Sequence, residues 1–250
     1  MIEVKNISKG FGGRQILKDV SLQFEKGKTN LVIGGSGSGK TVLMKCMVGL
    51  LEVDQGEIIY DGKNFSSLNF EERKPFRQDI GMLFQGGALF DSLNVEKNIM
   101  FPLNMFTEMS MQEKKDRVNF CLQRVNLVNV NQLMPSEISG GMKKRVAIAR
   151  AIAPNPKYLF CDEPNSGLDP RTSIVIDNLI KEITEEYDIT TIVNTHDMNS
   201  VIEIGDKIVF LFQGKKEWEG TAQDILKTDH PELNDFIFAS KLAKALKKQS

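Results

Sequence analysis

A loop rich in glycine and serine lies between an apolar run at 31–33 and an apolar, helix-like stretch at 42–51, and it ends in a lysine and a threonine. Glycines let backbone N–H groups surround phosphate oxygens, and the start of a helix presents its positive end to the same charge. We therefore predict a nucleoside triphosphate site, with Lys40 on the β- and γ-phosphates and Thr41 on Mg²⁺. A simple turn is the alternative, which the lysine–threonine pair disfavours. The residues assigned to the triphosphate are Gly34, Gly35, Ser36, Gly37, Ser38, Gly39, Lys40 and Thr41.

Two adjacent carboxylates follow an apolar, strand-like run at 158–161. At the carboxyl end of such a strand, Asp162 can hold Mg²⁺ through water, and Glu163 can orient or deprotonate the attacking water. We assign Asp162 to the metal and Glu163 to the role of general base. The alternative is that both acids only end a strand before the turn at 164–167.

A further apolar strand, at 190–193, leads to His196, one of two histidines in the chain. We expect His196 to donate a hydrogen bond to the γ-phosphate. The alternative is an ordinary turn residue, because a histidine after a strand has no necessary chemical role.

Ser139, Gly140 and Gly141 precede a basic, alanine-rich helical stretch at 143–153. Ser139 is a good N-cap, and the glycines expose helix N–H groups to an anion. Because the chain's own phosphate site is already supplied by the loop at 34–41, a second anion-binding helix start indicates a γ-phosphate contact across a dimer. The alternative is a plain helix start followed by a solvated face of Lys143, Lys144 and Arg145.

Composition restricts the class of protein. The 250 residues carry a formal net charge of −1, which gives no global field to recruit nucleic acid, so no nucleic-acid partner is expected. Cys46, Cys121 and Cys161 are widely spaced in apolar segments, which favours buried thiols in a reducing compartment. The N-terminus lacks a signal pattern, and no apolar run reaches the roughly eighteen residues that a membrane helix needs. We expect a cytosolic chain.

The strand and helix patterns predict an α/β fold. Near-continuous apolar strands separated by a helical stretch are typical of a mostly parallel sheet with helices on both faces, and short strands between glycines indicate an antiparallel sheet beside it. The turn at Asp61-Gly62 is a hairpin signal. The predicted antiparallel pieces are 2–7, 20–24 and 57–64, and the predicted parallel strands are 158–161, 190–193 and 208–212, with a helix at 171–187.

A predominantly helical lobe is predicted at about 95–153, where Ser110 and Glu113 form a capping box. We therefore expect a nucleotide-binding core with a β subdomain, a helical subdomain inserted into it, and a helical tail that begins at the Thr221–Asp224 capping box. In that tail Leu233, Phe236, Ile237 and Ser240 have helical spacing. Its last lysines form a solvated face, with contact to anionic lipid as the alternative. The predicted boundaries are 1–86 with 154–220 for the core, 87–153 for the helical subdomain and 221–250 for the tail.

These motifs, in this order, resemble an ATP-binding cassette (ABC) ATPase over nearly the whole chain. The resemblance adds Gln85 as the Q-loop glutamine, Ile138 to Met142 as the signature motif, and Ser166 to Asp169 as the D-loop. Phe11 stands where the family places the aromatic residue that stacks on adenine.

The resemblance implies a P-loop NTPase fold with a RecA-like core, ATP and Mg²⁺ as ligands, and a head-to-tail homodimer with two ATP molecules between glycine loop and opposing signature motif. It places Asp169 and Phe11 at the nucleotide, Gln85 at Mg²⁺ and water, and Gln85, Glu163, His196 and Lys40 in catalysis.

The signature motif departs from the common Leu-Ser-Gly-Gly-Gln at Ile138 and Met142. Together with residues 82–93, the stretch 133–145 is similar to the ATPase subunits of mammalian-cell-entry (MCE) lipid transporters. This likeness implies transport of phospholipid or other apolar cargo across a bacterial envelope, with an integral membrane permease and an MCE-domain lipid-binding protein as partners. The chain would then lie on the cytoplasmic face of the inner membrane.

The apolar runs 88–90 and 99–103 are expected to line a cleft for a helix of the permease, with burial in the lobe core as the alternative.

Other classes of protein stay open for this chain. One is the ATPase of a generic ABC importer or exporter, and another is a soluble ABC ATPase of iron–sulfur assembly. A merely structural cassette is expected to lack Glu163 or His196, and both are present.

Overall fold

The computed structural model describes residues 1–225 and 227–238. The predicted tail contacts of Ser240 and of Lys241, Lys244, Lys247 and Lys248 lie outside the described residues. Within the described part, no helix is long and apolar enough to cross a membrane.

The described chain alternates strands and helices. The strands are β1 Ile2–Phe11, β2 Arg14–Phe24, β3 Thr29–Ile33, β4 Gln55–Tyr60, β5 Lys63–Asn64, β6 Ile80–Leu83, β7 Tyr158–Asp162, β8 Thr190–Thr195, β9 Lys207–Phe212 and β10 Lys215–Gly220. The helices are α1 Lys40–Met47, α2 Lys74–Gln78, α3 Val95–Phe106, α4 Met111–Arg124, α5 Gly140–Ile152, α6 Pro170–Glu186, α7 Met198–Ile204, α8 Ala222–Ile225 and α9 Pro231–Ile237, with a 3-10 turn at Pro135–Glu137.

Two compact units divide the chain, one formed by residues 1–67 and from Asn194 onward, the other by residues 68–193. The first unit holds the antiparallel sheet β2-β1-β4-β5 and the strands β10-β9-β3, in which β3 runs parallel to β9. The hairpin predicted at Asp61-Gly62 is confirmed, because Tyr60 pairs with Lys63 and both turn residues have positive φ, as a tight two-residue turn requires.

In the second unit β6 and β7 are parallel, with Ile80 opposite Tyr158. The stretch predicted to be helical holds α3, α4 and α5, whose apolar sides are buried. Fully buried members of this core include Ile99, Leu103, Val118, Val146 and Ile148. The capping box of Ser110 and Glu113 is confirmed at the start of α4.

The starts of α5 and α6 lie in contact within the second unit. A Cβ on Gly141 would lie 2.7 Å from Cγ2 of Thr172, which is closer than side-chain carbons approach, whereas a Cβ on Gly140 would meet Leu168 at an ordinary 3.8 Å. The Thr172 hydroxyl donates to the Asp169 carboxylate. Gly141 is therefore required by packing as well as by any contact with an anion.

Gly141→Ala should lower the free energy of unfolding by about 1–3 kcal/mol, because the new methyl group overpacks the α5–α6 contact. Adding Thr172→Ser removes Cγ2 but keeps the hydroxyl, so the double variant should recover most of that loss. Urea unfolding of the unaltered chain, the two single variants and the double variant gives the coupling energy between positions 141 and 172. Gly140→Ala is the matched control, and we expect it to change the free energy of unfolding very little. If serine at 172 leaves the cost of Gly141→Ala unchanged, the contact is not its cause.

Candidate nucleotide site

Neighbouring main chain packs closely against one side of the glycine loop in the first unit. A Cβ on Gly34 would lie 2.3 Å from the carbonyl oxygen of Leu211, and one on Gly39, at φ 110°, would lie 2.9 Å from a methyl group of Leu17. The N–H of Gly214 also donates to the Ser38 carbonyl over 3.1 Å. Only glycine fits at positions 34 and 39, so the loop is shaped by its neighbours and not by turn preference alone.

Lys40 begins α1 and is 8% exposed. Its Nζ donates to the carbonyl oxygens of Gly34, over 2.7 Å, and Gly35, over 3.3 Å. The ammonium therefore lies across the loop with its position fixed by the backbone. A group held in this way meets phosphate oxygens with little loss of side-chain freedom.

A cavity of about 350 Å³ lies beside the loop and is lined by Phe11, Arg14, Ile16 and residues 37–42, from the end of the loop and the start of α1. The Phe11 ring is 47% exposed, which leaves a face for stacking. Lys9, which pairs with Asp54 over 2.6 Å, lies 5.3 Å from the ring centroid. Arg14 was missed by the sequence analysis, and only its position three residues after Phe11 could have drawn attention to it.

His196 also belongs to the first unit, where it is exposed just beyond β8. Asp197 caps α7 by accepting from the N–H of Asn199 over 2.9 Å, and its own N–H donates to Thr195 over 3.0 Å. The backbone on the carboxyl side of His196 is thereby fixed.

The second unit carries the carboxylates and the Q-loop. Asp162, at the end of β7, is 7% exposed, and Glu163 follows it with φ 50°, a left-handed conformation that non-glycine residues rarely adopt. The side-chain amide of Gln85 donates to Ser166 Oγ over 3.3 Å. The structure therefore joins the predicted Q-loop to the predicted D-loop.

Ser139 caps α5 by accepting from the N–H of Met142 over 3.3 Å, and Ser139 and Gly140 are exposed. The N-cap prediction is confirmed. The alternative of a solvated basic face is wrong for Lys144, which is buried, while Arg145 donates to the Asn126 carbonyl over 3.0 Å.

Asp169 has a structural task within the chain. Its carboxylate caps α6, accepting from Arg171 N over 3.0 Å and Thr172 N over 3.1 Å. The hydrogen bond from the Thr172 hydroxyl, followed by those from the backbone, lowers the pKa of Asp169 below its usual range. Its contact with nucleotide stays a prediction.

The proposed metal ligands are split between the units, with Thr41 in the first and Gln85 and Asp162 in the second. Their hydroxyl, amide and carboxylate oxygens are the hard donors that suit Mg²⁺. Among the described residues no cluster of three or more His, Cys, Asp or Glu side chains could hold a metal ion. Each of these donors suits an ion that keeps phosphate oxygens and water among its ligands, as Mg²⁺ usually does.

An apolar groove of about 430 Å³ lies in the second unit. The Phe90 and Phe101 rings, 4.7 Å apart, form part of its wall. Of the runs predicted to line it, Ala88, Phe90, Phe101 and Pro102 do so, whereas Ile99, Met100 and Leu103 are buried in the core.

Comparison with known proteins places this geometry in a family. The model of the ABC transporter family matches residues 17–166. The intermembrane phospholipid transport system ATP-binding protein MlaF of Haemophilus influenzae is 39% identical over 237 residues, which are 95% of this chain and 90% of that protein. The methionine import ATP-binding protein MetN of Clostridium acetobutylicum is 38% identical over 237 residues, 95% of this chain and 74% of that one.

A solved structure supports the same assignment. The ATP-binding cassette MJ0796, in a dimeric post-hydrolysis state bound to ADP and Pi, is similar with a TM-score of 0.82 and 33% identity, over 89% of this chain and 99% of that one. This chain therefore belongs to the ABC transporter family, in which it is an ATP-binding cassette that hydrolyses ATP.

Proposed function

We propose that this cassette powers a transporter of phospholipid or another apolar lipid across a bacterial envelope. The observation that carries the proposal is the likeness to MlaF, which extends over 95% of this chain and 90% of that phospholipid transport protein. The Met142 signature and the stretches 82–93 and 133–145 favour the same cargo class. A methionine importer is nearly as similar, at 38% identity, so an importer of another substrate is the second candidate.

The working form is a head-to-tail homodimer that binds two ATP molecules. In one chain the capped start of α5 at Ser139 and Gly140 is exposed, so its N–H groups are accessible to the nucleotide of a second copy. The dimeric state of the related cassette MJ0796 supports this arrangement.

Chemistry at each site follows from the residues that hold the triphosphate. Lys40 and the loop N–H groups bind the β- and γ-phosphates, and Phe11 stacks on adenine. Thr41, Asp162 and Gln85 would hold Mg²⁺, which would neutralise phosphate charge. Glu163 orients the attacking water and accepts its proton, while His196 donates a hydrogen bond to the γ-phosphate. The opposing Ser139 helix and Lys40 stabilise the charge that develops in the transition state.

A permease helix occupies the apolar groove. The groove walls include Phe84, Phe90, Phe101 and Phe106. Six further lining residues are apolar: Ile80, Met82, Ala88, Pro102, Ala151 and Pro154. An amphipathic helix buries its apolar side against such a wall. The chain then lies on the cytoplasmic face of the inner membrane, and an MCE-domain protein completes the lipid path.

Glu163→Gln should retain ATP binding but lower kcat by about a hundredfold or more, because the amide cannot accept the proton of the attacking water. The measurement is phosphate release by the chain with its permease in liposomes, alongside nucleotide affinity and ATP-dependent lipid transfer. Near-normal turnover would remove Glu163 from the role of general base. Turnover without lipid transfer by the unaltered complex would contradict the cargo assignment instead.

Phe101→Glu should abolish capture of the permease while leaving ATP affinity within about twofold, because a carboxylate in the groove stays charged and loses its hydration when a helix covers it. The matched control is Phe120→Glu. Phe120 is 43% exposed, against 38% for Phe101, but lies on α4 and does not line the groove. Equal capture by both variants would show that the permease binds elsewhere.

A further inference from the structure

Helix α5 carries two cationic side chains that both end on the loop after β6. Lys144, which is 5% exposed, donates from Nζ to the backbone oxygen of Gln85. Arg150 donates from Nη2 to the carbonyl of Gly87 over 2.8 Å and from Nη1 to that of Ala88 over 2.7 Å. Three carbonyl groups within four residues are therefore held by side chains of a single helix.

Two residues of this loop after β6 have a disfavoured backbone conformation. Gly87 has φ 77° and Ala88 has φ 47°, so a glycine and a residue with a Cβ are left-handed in succession. Such a conformation is disfavoured for alanine and persists only where the surroundings impose it. Gly87 also donates from its N–H to the Phe84 carbonyl over 2.8 Å. The hydrogen bonds from Lys144 and Arg150 supply the additional restraint.

Burial and nearby acidic groups act on the ammonium group of Lys144 in opposite directions. Burial lowers the pKa of Lys144, while Cys161, Asp162 and Glu163 act in the opposite direction. The Cys161 thiol is neutral near pH 7 because burial raises its own pKa. Lys144 therefore lies close enough to Asp162 and Glu163, the acids of the candidate site, to interact with them electrostatically.

We propose that Lys144 is a positioning residue for ATP hydrolysis, which fixes the Q-loop backbone at Gln85 through its hydrogen bond to the Gln85 carbonyl. The proposal rests on the proposed roles of Gln85 and Glu163. Because Lys144 lies five residues after Ser139 on the same helix, a displacement of α5 carries the signature serine and the Gln85 backbone together. Arg150 extends this connection to Gly87 and Ala88, and Ala88 lines the groove.

A positioning role and a merely structural one predict different results. Replacing a buried lysine by an apolar side chain of similar length removes the cost of burying the charge but leaves the Gln85 carbonyl oxygen without that donor, so we expect only a modest net loss of stability. A charged group that aligns reacting groups through a hydrogen bond contributes to kcat. Removing its charge therefore lowers kcat even where the protein stays folded.

The test compares Lys144→Met, Lys144→Gln and the matched control Lys143→Met in the full chain with its permease. Lys143 is the adjacent lysine on α5, and its side chain makes no hydrogen bond or ion pair with residues 1–225 and 227–238. Steady-state phosphate release gives kcat and KM, a fluorescent ATP analogue gives nucleotide affinity, and thermal unfolding gives the Tm.

Lys144→Met should lower kcat about tenfold to a hundredfold, with KM and nucleotide affinity close to those of the unaltered chain and only a modest fall in Tm. Lys144→Gln keeps an N–H donor and should lose less turnover, and Lys143→Met should match the unaltered chain. An unchanged kcat in Lys144→Met overturns the proposal. So does a fall in kcat, in both Lys144 variants, that is fully explained by a smaller fraction of folded protein able to bind nucleotide. An unaltered complex without ATPase activity would instead contradict the proposed function.

Discussion

The close approach of backbone to backbone behind the glycine loop is the constraint on which the nucleotide site depends. For loop N–H groups to face phosphate, the opposite side of the loop must pack on something, and here it packs on the main chain of Leu211 and of the β9–β10 turn. The Gly214 carbonyl in that turn accepts from Lys18 N over 2.8 Å, which joins β2 to the same point. The strands of the first unit therefore position Lys40 as much as its own helix does.

A single helix has the corresponding role in the second unit. The first turn of α5 carries Ser139 and Gly140, which are exposed, and Gly141, which packs on Thr172. Farther along, Lys144 and Arg150 hold the Q-loop carbonyls. Helix α5 therefore connects the signature residues, the Q-loop backbone and the wall of the apolar groove, and the proposed roles of these three regions depend on the position of one helix.

Features that depend on local sequence could be predicted, and those that depend on packing could not. The Asp61-Gly62 turn and the Ser110 cap follow from the conformational preferences of neighbouring residues. The glycine loop could be predicted because its residue pattern is specific to phosphate binding. The burial of Lys144 was invisible, because a lysine beside other basic residues is usually solvated. The cap that the Asp169 carboxylate forms on α6 is also local in sequence, but the sequence analysis assigned this residue to the nucleotide and did not predict the cap.

The central claim is that this cassette drives a lipid-transporting permease. Mild-detergent affinity purification of the chain from its native membranes, followed by mass spectrometry, tests the claim most directly. We expect a permease with several membrane spans together with a single-span MCE-domain protein. A different class of permease, without an MCE-domain protein, would contradict the lipid assignment, and only soluble partners would contradict the transporter assignment for this chain.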